Sequence, residues 1–152
     1  MDAIKFRFKI LVLGAVGVGR TALEVYVSKL NPHNSDELYN AESKSRRSAT
    51  GASFSVLNMG TDDYQVKLLF WVISDSEGFR FLHPSFIQNA VGAILLYDIT
   101  NASSITRLPY WLDLLANKYD ELPVVLAGNK VDLAGQRAIT KETGLAFQGN
   151  II

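Results

Sequence analysis

Short apolar runs alternate along this 152-residue chain with stretches whose apolar positions recur every three or four residues. Residues 6–13 (FRFKILVL) begin by alternating and end as a continuous run, the pattern of a strand entering a sheet buried on both faces. A short helix is predicted over residues 20–30. Residues 53–59 and 65–73 flank the turn-rich join Gly60-Thr61-Asp62-Asp63 and are predicted to pair as a hairpin. Residues 91–97 and 122–127 are further buried-strand candidates. Between them Ile105, Leu108, Trp111, Leu112, Leu115, Ala116 and Tyr119 form one apolar stripe at helical spacing. Proline is tolerated in a helix's first turn, so Pro109 predicts a start near Thr106. A last short helix is predicted over 140–148. The order strand, helix, two strands, helix, strand, helix, strand, helix predicts an α/β fold. Its sheet is mostly parallel with one antiparallel strand, and helices cover both faces.

Residues 31–48 (NPHNSDELYNAESKSRRS) interrupt this alternation, being polar and longer than most connections in a compact domain. Stretches of that kind are either functional or mobile. Lys44, Arg46 and Arg47 within it offer a basic cluster for an acidic partner or a solvated loop. Elsewhere charge is balanced: 15 Lys and Arg against 15 Asp and Glu give a net charge of +0. A broad nucleic-acid footprint is therefore not expected. Zero cysteines exclude disulfide frameworks, thiolate catalysis, Cys-ligated zinc and lipid anchors through Cys. The longest apolar runs, 68–73 and 91–97, fall well short of the roughly 20 residues that cross a bilayer. Lys5, Arg7 and Lys9 break up the first apolar segment, and Asp2 stands where myristoylation needs Gly. A cytoplasmic protein without an intrinsic membrane anchor is expected.

Two motifs carry chemistry. Gly14-Ala15-Val16-Gly17-Val18-Gly19-Arg20-Thr21 follows the first strand and opens the first helix with the spacing G-x-x-x-x-G-K-[ST], Arg replacing Lys. Glycines let backbone N–H groups converge on phosphate oxygens, and the helix N-terminus adds positive potential. Thr21 offers a hydroxyl to Mg²⁺, and Arg20 sets a cation against the outer phosphates. The alternative is a glycine-rich turn bearing a surface Arg. A cation in a helix's first turn opposes the macrodipole, which favours a bound polyanion. The second motif, Asn129-Lys130-Val131-Asp132, ends the strand predicted at 122–127, where ligands of such sheets bind. A carboxylate there accepts from the N1–H and 2-amino group of guanine, donors that adenine lacks. The stem of Lys130 can cover the ring face.

With both motifs in place, the sequence resembles the Ras-superfamily small GTPases of Rab-like character. The similarity runs through ILVLGAVGVGRT, ASFSV, DSEG, HPSF, GAILLYDIT, WLDLL and PVVLAGNKVDL. It implies a P-loop NTPase G domain over residues 1–152 that binds GTP and GDP with Mg²⁺. The implied nucleotide contacts are Gly14, Ala15, Val16, Gly17, Val18, Gly19, Arg20, Thr21, Ala22, Asn129, Lys130, Asp132 and Leu133. By resemblance, Asp75-Ser76-Glu77-Gly78 matches the family's Asp-x-x-Gly element. Asp75 would join Thr21 and Thr50 around the metal, and the Gly78 amide would sense the γ-phosphate beside Arg20 in catalysis. Effectors, GTPase-activating proteins and exchange factors would meet the switch loops; oligomeric state is open.

The chain departs from the family in several places. Phe79 stands where a water-orienting Gln usually follows the glycine, and the segment to Pro84-Ser85-Phe86 is a few residues short. Glu77, Arg80 and His83 are the candidate substitutes. Val16 sets a branched side chain toward the γ-phosphate position. In the first switch Ala49 aligns with the metal-binding Thr, with Thr50 one residue later and Ser48 one earlier. The strand bearing Ser-Ala-Lys and the final helix do not occur within these 152 residues, so a truncated G domain is expected. Two functions follow: a switch that hydrolyses GTP slowly or with a partner, or a pseudo-GTPase scaffold that holds nucleotide. An ATP-using enzyme is disfavoured by Asn129–Asp132.

Overall fold

A computed structural model describes residues 4–30 and 50–148. The long first strand, β1 (Ile4–Gly14), enters at an exposed end and becomes fully buried at Leu11, Val12 and Leu13. Helix α1 (Arg20–Lys29) follows. Strands β2 (Ala52–Gly60) and β3 (Tyr64–Ile73) form the predicted hairpin, in register from Ala52 opposite Ile73 to Gly60 opposite Gln65. Strands β4 (Gly92–Asp98) and β5 (Val124–Asn129) complete a five-stranded sheet ordered β2-β3-β1-β4-β5. Every neighbouring pair is parallel except β2 with β3. This is the predicted α/β sheet.

The helical connections differ in detail from the sequence pattern. Between β3 and β4 the chain forms a 3-10 turn (Glu77–Leu82) and then a four-residue helix, α2 (His83–Phe86). The amphipathic helix α3 (Leu108–Ala116) starts two residues later than expected, with Pro109 in its first turn. Residues Ala102–Arg107 wind instead as a 3-10 segment. Side chains there compete for the backbone: Asn101 accepts from the Ser103 amide, and Ser104 donates to the Asn101 carbonyl. A final helix, α4 (Lys141–Gln148), matches the pattern.

Alternation along the strands separates two layers of core. On one face Leu11, Leu13, Ile73, Leu95 and Tyr97 pack with Leu108, Trp111 and Leu115 of α3. On the other, Val12, Val72 and Leu96 pack with Val18, and Leu23 of α1 lies against them. Successive residues of β1 and β3 thus serve opposite faces, as pleating requires. Among the described residues no helix is long and apolar enough to cross a membrane. The polar stretch 31–48, with Lys44, Arg46 and Arg47, lies outside the described residues, as do Ser48 and Ala49.

Candidate functional site

β1 hands directly into the glycine-rich loop. A Cβ on Gly14 would lie 2.4 Å from the Leu96 carbonyl oxygen of β4, so only glycine lets the two strands close up before the loop. The loop then exposes Val16 (71%) and Gly17 while burying Val18 in the α1-side core. Gly19 caps α1 at φ +101°, and its carbonyl accepts the first helical bond from the Leu23 amide at 3.0 Å. With no acidic residue in the first turn and no side-chain cap, the N-terminus of α1 keeps its positive potential. Thr21 and Ala22 are exposed on that turn. Arg20 reaches across to β3, donating from Nη1 to the Ile73 carbonyl.

The second motif lies beside the loop. Asn129 ends β5, and its Nδ2 donates to the Val18 carbonyl at 2.8 Å, a bond spanning 111 positions. The close approach demands glycine at 19, where a Cβ would stand 2.1 Å from Asn129 Nδ2. Lys130 adopts a left-handed conformation (φ +67°) that turns its ammonium onto Asp98 Oδ2 at 2.6 Å. Asp98 is buried at the end of β4, and its Oδ1 accepts from the Thr100 amide and hydroxyl at 2.8 and 2.6 Å. Burial pushes this carboxyl up, but the hydrogen bonds from Lys130 and Thr100 outweigh it and hold it below the usual carboxylate range. Asp132 and Leu133 lie exposed on the 3-10 turn Val131–Gln136. The end of β5 thus carries a half-buried charge pair beside an accessible carboxylate.

The Asp-x-x-Gly candidate is arranged differently. Asp75 is buried, and both its oxygens accept from Arg107 Nε, at 2.8 and 2.9 Å. Arg107 leads into α3 and lies 3.9 Å over the Tyr110 ring. Beside the pair, His83 donates from Nε2 to the Ser74 carbonyl at 2.8 Å, which leaves Nδ1 to accept from the Tyr110 hydroxyl at 2.7 Å. Burial lowers the His83 pKa. Gly78 is exposed in open space without a left-handed φ, so nothing there requires glycine. Phe79 lays its ring on Gly51 at the start of β2. Thr50 donates its hydroxyl to the Ala52 carbonyl at 2.9 Å. Glu77 and Arg80 pair weakly with each other at the surface, at 3.4 Å.

The loop at 14–22 and the motif at 129–133 therefore meet, whereas Asp75 is tied to α3. Asp98 was not singled out from the sequence, although its place as an acid at the carboxyl end of β4, where such sheets bind ligands, was a signal that could have found it. Arg107 gave no local signal, because its partner lies 32 positions away.

A mostly parallel five-stranded sheet whose first strand runs through a glycine-rich loop into a helix belongs to the P-loop GTPase class of α/β domain. The chain belongs to the Ras family, which it matches over residues 9–151. It is 32% identical over 141 residues to Ras-related protein Rab-18 of Caenorhabditis elegans, covering 91% of this chain and 64% of that protein. Against GTP-binding protein ypt3 of Schizosaccharomyces pombe it is 31% identical over 147 residues, 96% of this chain and 64% of the relative. Rab-18 of Caenorhabditis briggsae is also 32% identical, over 141 residues, with 91% and 64% covered. The chain thus spans 64% of the length of these relatives. Proteins of this family generally bind GTP or GDP together with Mg²⁺. The described residues fit the nucleotide better than the metal, since the carboxylate expected to face the ion is engaged by Arg107.

Proposed function

We propose that this chain is a guanine-nucleotide-binding switch that hydrolyses GTP slowly or with a partner's help. Residues 14–22 hold the phosphates: loop amides and the α1 N-terminus face the anion, and Arg20 contributes a fixed positive charge. Asn129, Lys130, Asp132 and Leu133 hold the base. Asp132 accepts from the guanine N1–H and 2-amino group, and the stem of Lys130 covers the ring face. Effectors and regulators meet the segments around Thr50 and residues 74–82.

One contact carries this reading. The 2.8 Å bond from Asn129 to the Val18 carbonyl brings a phosphate-cradling loop and a base-selecting tetrapeptide side by side. Calorimetric titration in millimolar Mg²⁺ tests it: GDP and GTP are expected to bind, and ATP is not. Asp132→Asn replaces an acceptor with a donor and is expected to move preference from guanine to xanthine diphosphate. If neither guanine nucleotide binds, or if ATP competes equally, the proposal fails.

A second reading, a scaffold that holds nucleotide without hydrolysing it, is favoured by Val16, whose exposed, branched side chain takes up space that an attacking water or an arginine finger would need. Single-turnover phosphate release separates the two. Release over hours supports the switch, and none over the same period supports the scaffold.

A further inference from the structure

A metal ion held between Thr21 and the outer phosphates must sit on the α1 side of the sheet, because Thr21 lies in the first turn of α1. The residue that β3 turns toward that side at its end is Val72. It is in register with Val12 of β1, is 2% exposed, and packs with Val18 of the loop and Leu96. Ile73, the next residue, faces α3. Asp75 lies beyond both, with each carboxylate oxygen taken by Arg107 at the entrance to α3. An Asp-x-x-Gly element begun at Val72 sets Asp75 at its glycine and Ser76 at the following Gln. That placement also lengthens the segment to Pro84-Ser85-Phe86 by three residues and removes its shortfall. It further explains why Gly78 stands in open space with an ordinary backbone.

The neighbourhood holds a cation of its own. Arg20 extends from the loop to the carbonyl of Ile73, the last residue of β3. A guanidinium is planar, keeps its charge at every physiological pH and donates in several directions at once. One arm can rest on the strand while the charge stays at the phosphates.

We infer that this chain holds guanine nucleotide without a divalent cation: Val72 occupies the metal-facing end of β3, and the Arg20 guanidinium supplies the positive charge there. This rests on the nucleotide-binding proposal above, and one set of titrations separates the failure of each. GDP affinity is measured with the intact chain in millimolar Mg²⁺ and again in excess EDTA. Dissociation constants agreeing within about threefold support the inference, whereas weakening of tenfold or more in EDTA, about 1.4 kcal/mol, overturns it. Absence of binding in both buffers overturns the nucleotide reading itself. Val72→Asp places a carboxylate toward the loop and is expected to make GDP affinity depend on Mg²⁺. A folded, GDP-binding Val72→Asp that ignores Mg²⁺ would overturn the role given to residue 72. Should that variant fail to fold, the comparison of the parent chain in the two buffers still decides. Arg20→Gln is expected to weaken GDP about equally in both buffers, and unchanged affinity would overturn the role given to Arg20.

Discussion

Gly19 turns the backbone through φ +101° at the point where the Asn129 side chain crosses the loop. Replacing it with Ala brings two penalties. The left-handed conformation costs a residue with a Cβ about 1–2 kcal/mol. The new methyl also stands 2.1 Å from Asn129 Nδ2, so the bond to Val18 is lost, at about 1 kcal/mol more. Gly19→Ala is expected to lower stability in urea by about 2–3 kcal/mol and to abolish GDP binding with it. Stability unchanged from the parent would show that the loop is not clamped by Asn129. At this scale the sequence was informative wherever the backbone demanded a residue type. The glycine spacing of 14–19 announced a strand-to-helix turn, and its close approaches explain two of those glycines. What residue identity did not convey was direction. By resemblance Asp75 reads as a carboxylate of the metal site until Arg107 is seen to cover it, and Val72 reads as one more apolar residue in a run.

Between elements, His83 joins α2 to the end of β3 and to α3. The Ser74 carbonyl only accepts, so the ring must carry its proton on Nε2, and Nδ1 must accept from Tyr110. Protonation forces Nδ1 to donate, and Tyr110 must then turn its own proton away. Burial disfavours the imidazolium, nearby Arg107 and Arg80 add to that, and the Ser74 bond and Asp75 oppose it. The net pKa lies below the model-peptide value of about 6.5. Between the two values the unfolded chain takes up a proton that the folded chain refuses. Stability from His83 is therefore full above about pH 6.5 and declines as pH falls through that window. Denaturant melts across about pH 5–8 are expected to show this decline on the acid side in the parent and a flatter profile in His83→Gln. Identical profiles would mean the ring protonates freely. The α3 stripe was legible because Leu108, Trp111 and Leu115 repeat at helical spacing, and those three are the buried ones. The delayed start of α3 was not, because Ser and Asn side chains in 101–104 compete with helical hydrogen bonds in a way that no periodicity registers.

For the molecule as a whole, the proposed ligand would tie together segments that lie far apart in sequence. The loop follows β1 and the base motif follows β5; β2, β3 and β4 lie between these two strands in sequence, and β4 joins them in the sheet. A nucleotide contacting both ends of that arrangement binds the folded sheet and has no counterpart in the unfolded chain. Linkage then fixes the size of the effect: at a ligand concentration one hundred times the dissociation constant, folding gains about 2.7 kcal/mol. For a domain of this length that corresponds to a rise of roughly 5–10 °C in melting temperature. GDP is expected to produce such a shift and ATP at the same concentration none, because adenine lacks the N1–H and 2-amino donors from which Asp132 accepts. If magnesium is dispensable, the GDP shift should survive EDTA at matched saturation. A shift of equal size with both nucleotides would mean that the phosphates alone are recognised, leaving the loop with a function but removing the base from it.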